Sequence, residues 1–394
     1  MTNEQFIQLH LADDVSKLAL KPMPEGIEPA WCLQQIEGRQ TARSKLPWWA
    51  DTDGVWFPPR LSMEQCSGEV TARYKREIAE RLLPEAAMRG VMVDATGGFG
   101  VDFAMLAPLF EESVYVEPNE RLCDLARHNF PLLGLEHFKI EHGEFDEHLH
   151  LPVGRCDFMF IDPSRRDKAG RKTVAVSDCV PDVSVLLPGL LDRVGVVMIK
   201  LSPMLDISRA LHDLPGVAEI HVVAVRGECK ELLFVCRRGV GETMCRCVNL
   251  ETAETTIEVG LSQKNVAVDI AGVEQGCFLY EPNAAVLKAS MQDVVAATHG
   301  LAKLHPMSHL YVSRNYVADF PGRKFRVADY SDFSKQKLRC LLNGVSKTNL
   351  TIRNFPTTVA ELRKRLKLKE GGDTYLFATT LADNSHVLIK CEKV

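Results

Sequence analysis

Between Val91 and Leu106 the chain reads VMVDATGGFGVDFAML: a run of β-formers, a turn with three glycines, then the start of a helix. Gly97, Gly98 and Gly100 let the backbone approach a ligand where a Cβ would collide, and the helix behind them offers N–H groups without helical partners. Glu117, seventeen residues after Gly100, ends a second apolar run, SVYVEP. A carboxylate there accepts hydrogen bonds from ribose hydroxyls. A fourth run, DFMFIDP, ends in Asp162 and Pro163, which the same arrangement brings to the mouth of one cleft. The dinucleotide fingerprint requires a third glycine where this chain has Phe103, which disfavours a pyrophosphate site. The chemistry indicated is a nucleoside-bearing cofactor on the glycine turn, with Asp162 and Pro163 at the mouth of the same cleft.

These residues need elements to hold them. From Met88 to about Gly239, short apolar runs (VMVDAT, SVYVEP, HFKIEHG, DFMFIDP, VGVVMIKLS) alternate with helical segments such as RLCDLARHNFPLL. Continuous apolar strands separated by helices predict a doubly wound parallel sheet. EIHVVAV and ELLFVCR are separated only by RGECK, too short for a helical crossover, so the sheet is predicted to close with an antiparallel hairpin. Ahead of the sheet, residues 1–85 read as helical, with Ser67 as the N-cap of a helix carrying Val70, Ile78, Leu82 and Leu83. Thr71, Tyr74 and Lys75 share a face of that helix, with Lys75 placed to reach the site. LPWWADTDGVWFPPR, with three of the four tryptophans, is a loop that must pack on something. After Gly239 come a second hairpin (CRCVNLET with TTIEVGLS) and a helix starting near Pro282. The chain then runs strand, helix, strand, helix and a hairpin turning at Ala382-Asp383-Asn384.

This ordered set resembles the class I S-adenosylmethionine-dependent methyltransferases. The matching residues are Asp94, Gly98 and Gly100 of the glycine motif, in which Thr96 occupies a position usually held by glycine. Gly97 lies in the same turn, and Glu117 matches the ribose acid. A loop acid matches at Glu144 or Asp146, and Asp162-Pro163 matches the catalytic loop, with Asp162 also lining the cofactor. The combination TGGFGVD, DPSRR, KLSPMLD, EPNAAVLKA and FPGRKFRV is similar to bacterial methyltransferases with a C-terminal THUMP-like domain. The resemblance implies an α/β fold: a Rossmann-like methyltransferase sheet closing with an antiparallel hairpin, an N-terminal helical region, and C-terminal α+β units that are ferredoxin-like and THUMP-like. The implied domains are 1–85 (helical), 86–240 (methyltransferase), 241–318 (ferredoxin-like) and 319–394 (THUMP-like). The implied cofactor is S-adenosyl-L-methionine and the implied partner is RNA.

Because the sulfonium is already activated, the protein has to position the acceptor and manage its proton. Methylating C5 of a pyrimidine needs a cysteine near the loops after the fourth or fifth strand, and Asp162-Pro163-Ser164 and Leu201-Ser202-Pro203 lack one. Cys179 reads as a small buried thiol. A nucleobase nitrogen is the expected acceptor, with Asp162 and Pro163 as the catalytic pair. Arg165 and Arg166, followed by Lys168, Arg171 and Lys172, form a basic rim suited to phosphates. The competing readings are a non-catalytic RNA-binding protein that kept the fold, and a methyltransferase acting on protein or a small molecule.

Charge supports a polyanion contact at one end. Residues 321–394 carry fifteen Lys and Arg against seven Asp and Glu, a net of +8, while the remainder carries 32 against 45, a net of −13. Arg323 and Lys324 are the expected RNA contacts there, with Arg326 and the helix bearing Arg363, Lys364, Arg365 and Lys367. Twelve cysteines without a Cys-x-x-Cys pair read as reduced thiols, so no metal site is expected. The first twenty residues lack a basic segment ahead of an apolar core, and no apolar run approaches the ~20 residues of a membrane span. A cytoplasmic, membrane-free protein is the expectation.

Overall fold

The computed structural model describes residues 1–85, 88–146, 151, 156–164 and 175–394. They form two compact units, Met1–Ala218 with Leu233–Gly241, and Glu219–Leu232 with Glu242–Val394. Among the described residues no helix is long and apolar enough to cross a membrane.

The N-terminal region is helical, its longest helices being Pro29–Lys45 and Glu69–Leu82. The second of these differs from the sequence reading at its start. Its N-cap is Gly68, without a side-chain bond, because the Ser67 hydroxyl donates to Asp102 Oδ2 at 2.6 Å instead. A buried carboxylate is the stronger acceptor in that competition. The tryptophan-rich segment does pack. Trp49 is buried against Phe99 with ring centroids 4.5 Å apart, and Asn129 holds both the N–H and the carbonyl of Trp56, at 2.9 and 2.8 Å.

Strands β1 (Val91–Asp94), β2 (Glu112–Glu117), β3 (Phe138–His142), β4 (Cys156–Ile161) and β5 (Val194–Leu201) pair in parallel. β4 and β5 are buried along nearly their whole length, as strands covered on both faces must be. With β6 (Val217–Val225), β7 (Glu228–Cys236), β8 (Met244–Leu250) and β9 (Ile257–Gly260), the hydrogen-bonded order is β3-β2-β1-β4-β5-β7-β6-β8-β9. The chain leaves β1 on one side through β2 and β3 and returns on the other at β4. That reversal opens a crevice outside the carboxyl ends of β1 and β4. The β6–β7 connection is tighter than expected: Arg226 and Gly227 form a two-residue turn with φ of 50° and 84°, the positive values such hairpins require. Beyond the expected closure the sheet continues, because β8 runs parallel to β6 and carries β9 antiparallel on its outer side.

The second unit has its own sheet. Strands β10 (Phe278–Pro282), β11 (Ala302–Lys303), β12 (Tyr311–Ser313), β13 (Gly322–Asp332), β14 (Lys347–Ile352), β15 (Lys369–Thr380) and β16 (His386–Lys393) lie in the order β11-β12-β10-β13-β16-β15-β14. One core gathers Leu279, Phe325, Phe377 and Ile389, and another gathers Leu341, Leu350, Leu362 and Leu376 with residues of the Lys335–Leu341 and Val359–Leu366 helices. The single helix expected near Pro282 is instead β10 followed by two short helices, Ala284–Ala289 and Gln292–Thr298. Ser290, at φ 56°, turns the chain left-handed between them.

Candidate cofactor and acceptor site

The glycine turn ties three strand ends together. Asp94 closes β1, and its Oδ1 accepts the Thr96 N–H at 3.0 Å. Gly97 N–H donates to Val116 O of β2 at 2.8 Å, and Gly98 N–H to Glu117 Oε2 at 2.8 Å. The Tyr115 hydroxyl donates to Gly98 O. From β4, the Asp162 N–H donates to Thr96 Oγ1 at 2.6 Å, so the hydroxyl at this position clamps the turn to the acceptor loop.

The three glycines do different work, although the sequence reading assigned them one role. A Cβ on Gly97 would sit 2.3 Å from the Tyr115 ring, and one on Gly100 2.7 Å from the Phe130 ring. Aromatic side chains of the fold fill the space at both, and Gly100 also holds a left-handed φ of 86°. Only Gly98, at φ 59°, points its missing Cβ into open space, the nearest atom being Thr96 O at 3.7 Å. Gly98 is therefore where a ligand can lie on bare backbone.

The acids around this turn lie close enough to raise one of their number, Asp94. Burial drives the Asp94 carboxyl well above its usual range, and the nearby Asp102, Asp162 and Glu117 push the same way. Burial also raises Glu117, offset by the N–H donors of Asn119 and Gly98. Its two oxygens each accept one backbone N–H, from Gly98 and Asn119, both at 2.8 Å. Each oxygen has a second lone pair, which suits the paired hydroxyls of a ribose. Bare backbone at Gly98 beside this carboxylate fits a nucleoside cofactor. Glu144 and Asp146 are exposed just past the end of β3.

Asp162 stands at the end of β4 with its side chain 33% exposed, and Pro163 behind it is buried. Its Oδ2 accepts from Lys200 Nζ, at the end of β5, whose side chain is 7% exposed. Sequence reasoning missed Lys200. The only signal was its place in KLSPMLD one strand over from DPSRR, and that adjacency is visible once β4 and β5 pair with Ile161 opposite Ile199.

Lys75, expected to contact substrate, is corrected by the fold. Its side chain is 0% exposed, and its Nζ donates to Asp102 Oδ1 at 2.9 Å and Ser67 Oγ at 3.1 Å. Burial opposes ionisation of Asp102, but Lys75 and Lys200 hold it below the usual carboxylate range. Lys75 thus fastens the Glu69–Leu82 helix to the helix that follows the glycine turn, Val101–Leu106. Cys66 lies within the field of Lys45, Asp102 and Lys200, but burial pushes its thiol up, away from the thiolate a nucleophile needs. Cys179 is buried. Arg165 and Arg166, with Lys168, Arg171 and Lys172, lie outside the described residues.

In the second unit, Arg323 is already engaged, donating through Nε to Glu281 Oε2 at 2.6 Å, with its side chain 44% exposed. Arg353 closes on the other oxygen of Glu281 at 2.6 Å as an ion pair without hydrogen-bond geometry. Lys324 donates to Phe320 O at 3.1 Å. The freer cations are Arg326, Lys364, Arg365 and Lys367, all exposed.

Residues 322–393 match the family model of the THUMP-like domain, and residues 278–321 match that of a ferredoxin-like domain. An S-adenosylmethionine-dependent methyltransferase of Mycobacterium tuberculosis (strain H37Rv), and its counterpart in strain CDC 1551, are 26% identical over 351 residues, covering 87% of this chain and 90% of theirs. The crystal structure of a methyltransferase from Porphyromonas gingivalis W83 superposes with a TM-score of 0.86 at 34% identity, covering 100% of this chain and 97% of that one. With the glycine turn, the Glu117 carboxylate and the strand order already in place, the chain belongs to the family of S-adenosylmethionine-dependent methyltransferases that carry a C-terminal THUMP-like domain.

Proposed function

We propose that the chain methylates a nucleobase nitrogen in RNA. The observation that carries this reading is Asp162: a carboxylate one-third exposed at the end of β4, clamped to the cofactor turn through Thr96. Bound S-adenosylmethionine supplies a methyl group on a sulfonium. Gly98 offers bare backbone to that cofactor and Glu117 accepts from its ribose, while Asp162 accepts an N–H of the acceptor and turns the nitrogen lone pair toward the methyl carbon. Such positioning is most of what this displacement requires.

RNA as the carrier of that nitrogen is supported by the THUMP-like match and by the net +8 of residues 321–394. Arg326 and the Lys364, Arg365 and Lys367 face serve as the principal phosphate contacts, with Arg323 and Lys324 contributing what their internal bonds leave over. Arg165 and Arg166 belong to the same reading, as does Glu144 on the cofactor side. The domain limits of this reading are 1–85, 86–240, 241–318 and 319–394, with β8 and β9 of the third stretch continuing the nine-stranded sheet, and its compartment is the cytoplasm. The deciding measurement is mass spectrometry of nucleosides from total RNA of cells lacking the chain beside their parent. One missing N-methylated nucleoside is the expected result. Identical nucleosides together with a lost methyl mark on protein would overturn the RNA assignment.

A further inference from the structure

Two features of the Asp162–Lys200 pair need explaining. A buried ammonium costs several kcal/mol of hydration, which its partner only partly returns, so a buried ion pair is weak support for a fold. The parallel register that sets Ile161 beside Ile199 also sets Asp162 beside Lys200 at the two strand ends flanking the crevice. The pair is one-sided: Lys200 is almost enclosed, while Asp162 opens outward with its Oδ1 uncommitted among the described residues.

The geometry points to Lys200 as a positioning residue for methyl transfer: it occupies Oδ2 of Asp162 from behind and leaves Oδ1 as the acceptor for one N–H of an amino-type substrate. The carboxylate is then held at two places, by Thr96 at its backbone N–H and by Lys200 at Oδ2. Oδ1 is the oxygen left to accept from a substrate. In the step this serves, the acceptor nitrogen forms a bond to the methyl carbon as the C–S bond breaks with its electrons passing to sulfur. The nitrogen becomes positively charged, and its proton leaves through Oδ1 to water at the mouth.

The inference rests on the nitrogen-methylation reading, and its test separates the two. Parent protein, Lys200→Met, Lys200→Arg, Asp162→Asn and the double variant Asp162→Asn/Lys200→Met are given tritiated-methyl S-adenosylmethionine. Each is assayed with total RNA, the protein fraction and the small-molecule fraction of cells lacking the chain. Whichever fraction the parent labels becomes the acceptor pool, so a failure of the RNA reading still leaves Lys200 tested. Lys200→Met should slow transfer by about 10- to 150-fold, the range for losing a hydrogen bond between charged groups, while cofactor affinity by calorimetry stays unchanged. Lys200→Arg, which keeps the cation, should recover most of the rate. In the Asp162→Asn background, Lys200→Met should cost nothing further, because the group it positions is gone. A Lys200→Met protein that transfers at the parent rate would overturn the proposal. So would an equal cost in both backgrounds, or a Lys200→Arg protein as slow as Lys200→Met. The double variant removes both charges and guards against a Lys200→Met protein that fails to fold around an unpaired carboxylate.

Discussion

Replacing Glu117 by alanine tests the cofactor site most directly. In the folded chain its carboxylate accepts two backbone N–H bonds of 2.8 Å, from Gly98 and Asn119; in the proposed reading its remaining lone pairs accept from the ribose hydroxyls. A hydrogen bond to a charged group contributes about 1.5–3 kcal/mol, so losing the ribose contact should raise the dissociation constant of S-adenosylmethionine about 10- to 150-fold. The same substitution also loosens the turn, because the Gly98 N–H loses its acceptor. Tyr115→Phe separates the two effects: it deletes the hydroxyl that donates to Gly98 O and leaves Glu117 in place. That control should lose about 0.5–1.5 kcal/mol of affinity through a slacker turn alone. Calorimetry measures both. An unchanged dissociation constant for Glu117→Ala would refute the ribose assignment, and equal losses in the two variants would show that Glu117 acts only by holding the loop.

Other substitutions probe the remaining parts of the reasoning. Gly98→Asp should abolish cofactor binding while the protein stays folded, since its Cβ direction is open and Asp tolerates positive φ; Gly97→Ala should instead cost about 1–3 kcal/mol of stability, read by denaturant unfolding, because its Cβ meets the Tyr115 ring at 2.3 Å. Asp94 has a folded-state carboxyl raised well above its usual 3.8, so its contribution to stability is fully present below that value and is lost as pH rises through the raised one. Asp94→Asn should therefore raise the melting temperature near neutral pH and flatten its decline with pH, and an unaltered slope would reject the assignment. Reversing Lys364, Arg365 and Lys367 to glutamate should weaken RNA binding and flatten its dependence on salt, measured by fluorescence anisotropy, with cofactor affinity retained; equal binding would mark that helix face as merely solvated. Charge reversal is preferable to cutting the chain before Pro321, because β13 pairs with β10 and a cut there would divide one sheet.

Local signals were enough to read the strand–helix alternation, the glycine turn, the acids that close β1, β2 and β4, and the hairpin at Ala382-Asp383-Asn384. Each depends on residues near in sequence: apolar runs, turn residues and the acid that ends a strand. The sequence was equally informative about the charge asymmetry, which is a count. What it did not contain was which groups meet. Lys75 looked accessible on a helix face, but its ammonium is consumed by Asp102 and Ser67, and Ser67 left its expected capping role for the same carboxylate. Arg323 counted as a free cation until β10 and β13 paired and set Glu281 beside it. The three glycines looked alike until Tyr115 and Phe130 arrived from β2 and the Glu120–Leu132 helix to claim two of them. Lys200 and Asp162 are 38 residues apart and become partners only through strand pairing. Periodicity and propensity act over a few residues. The partner of a buried charge is set by long-range register, and burial then makes that partnership obligatory, because an ion stripped of water without a counter-charge is too costly to keep.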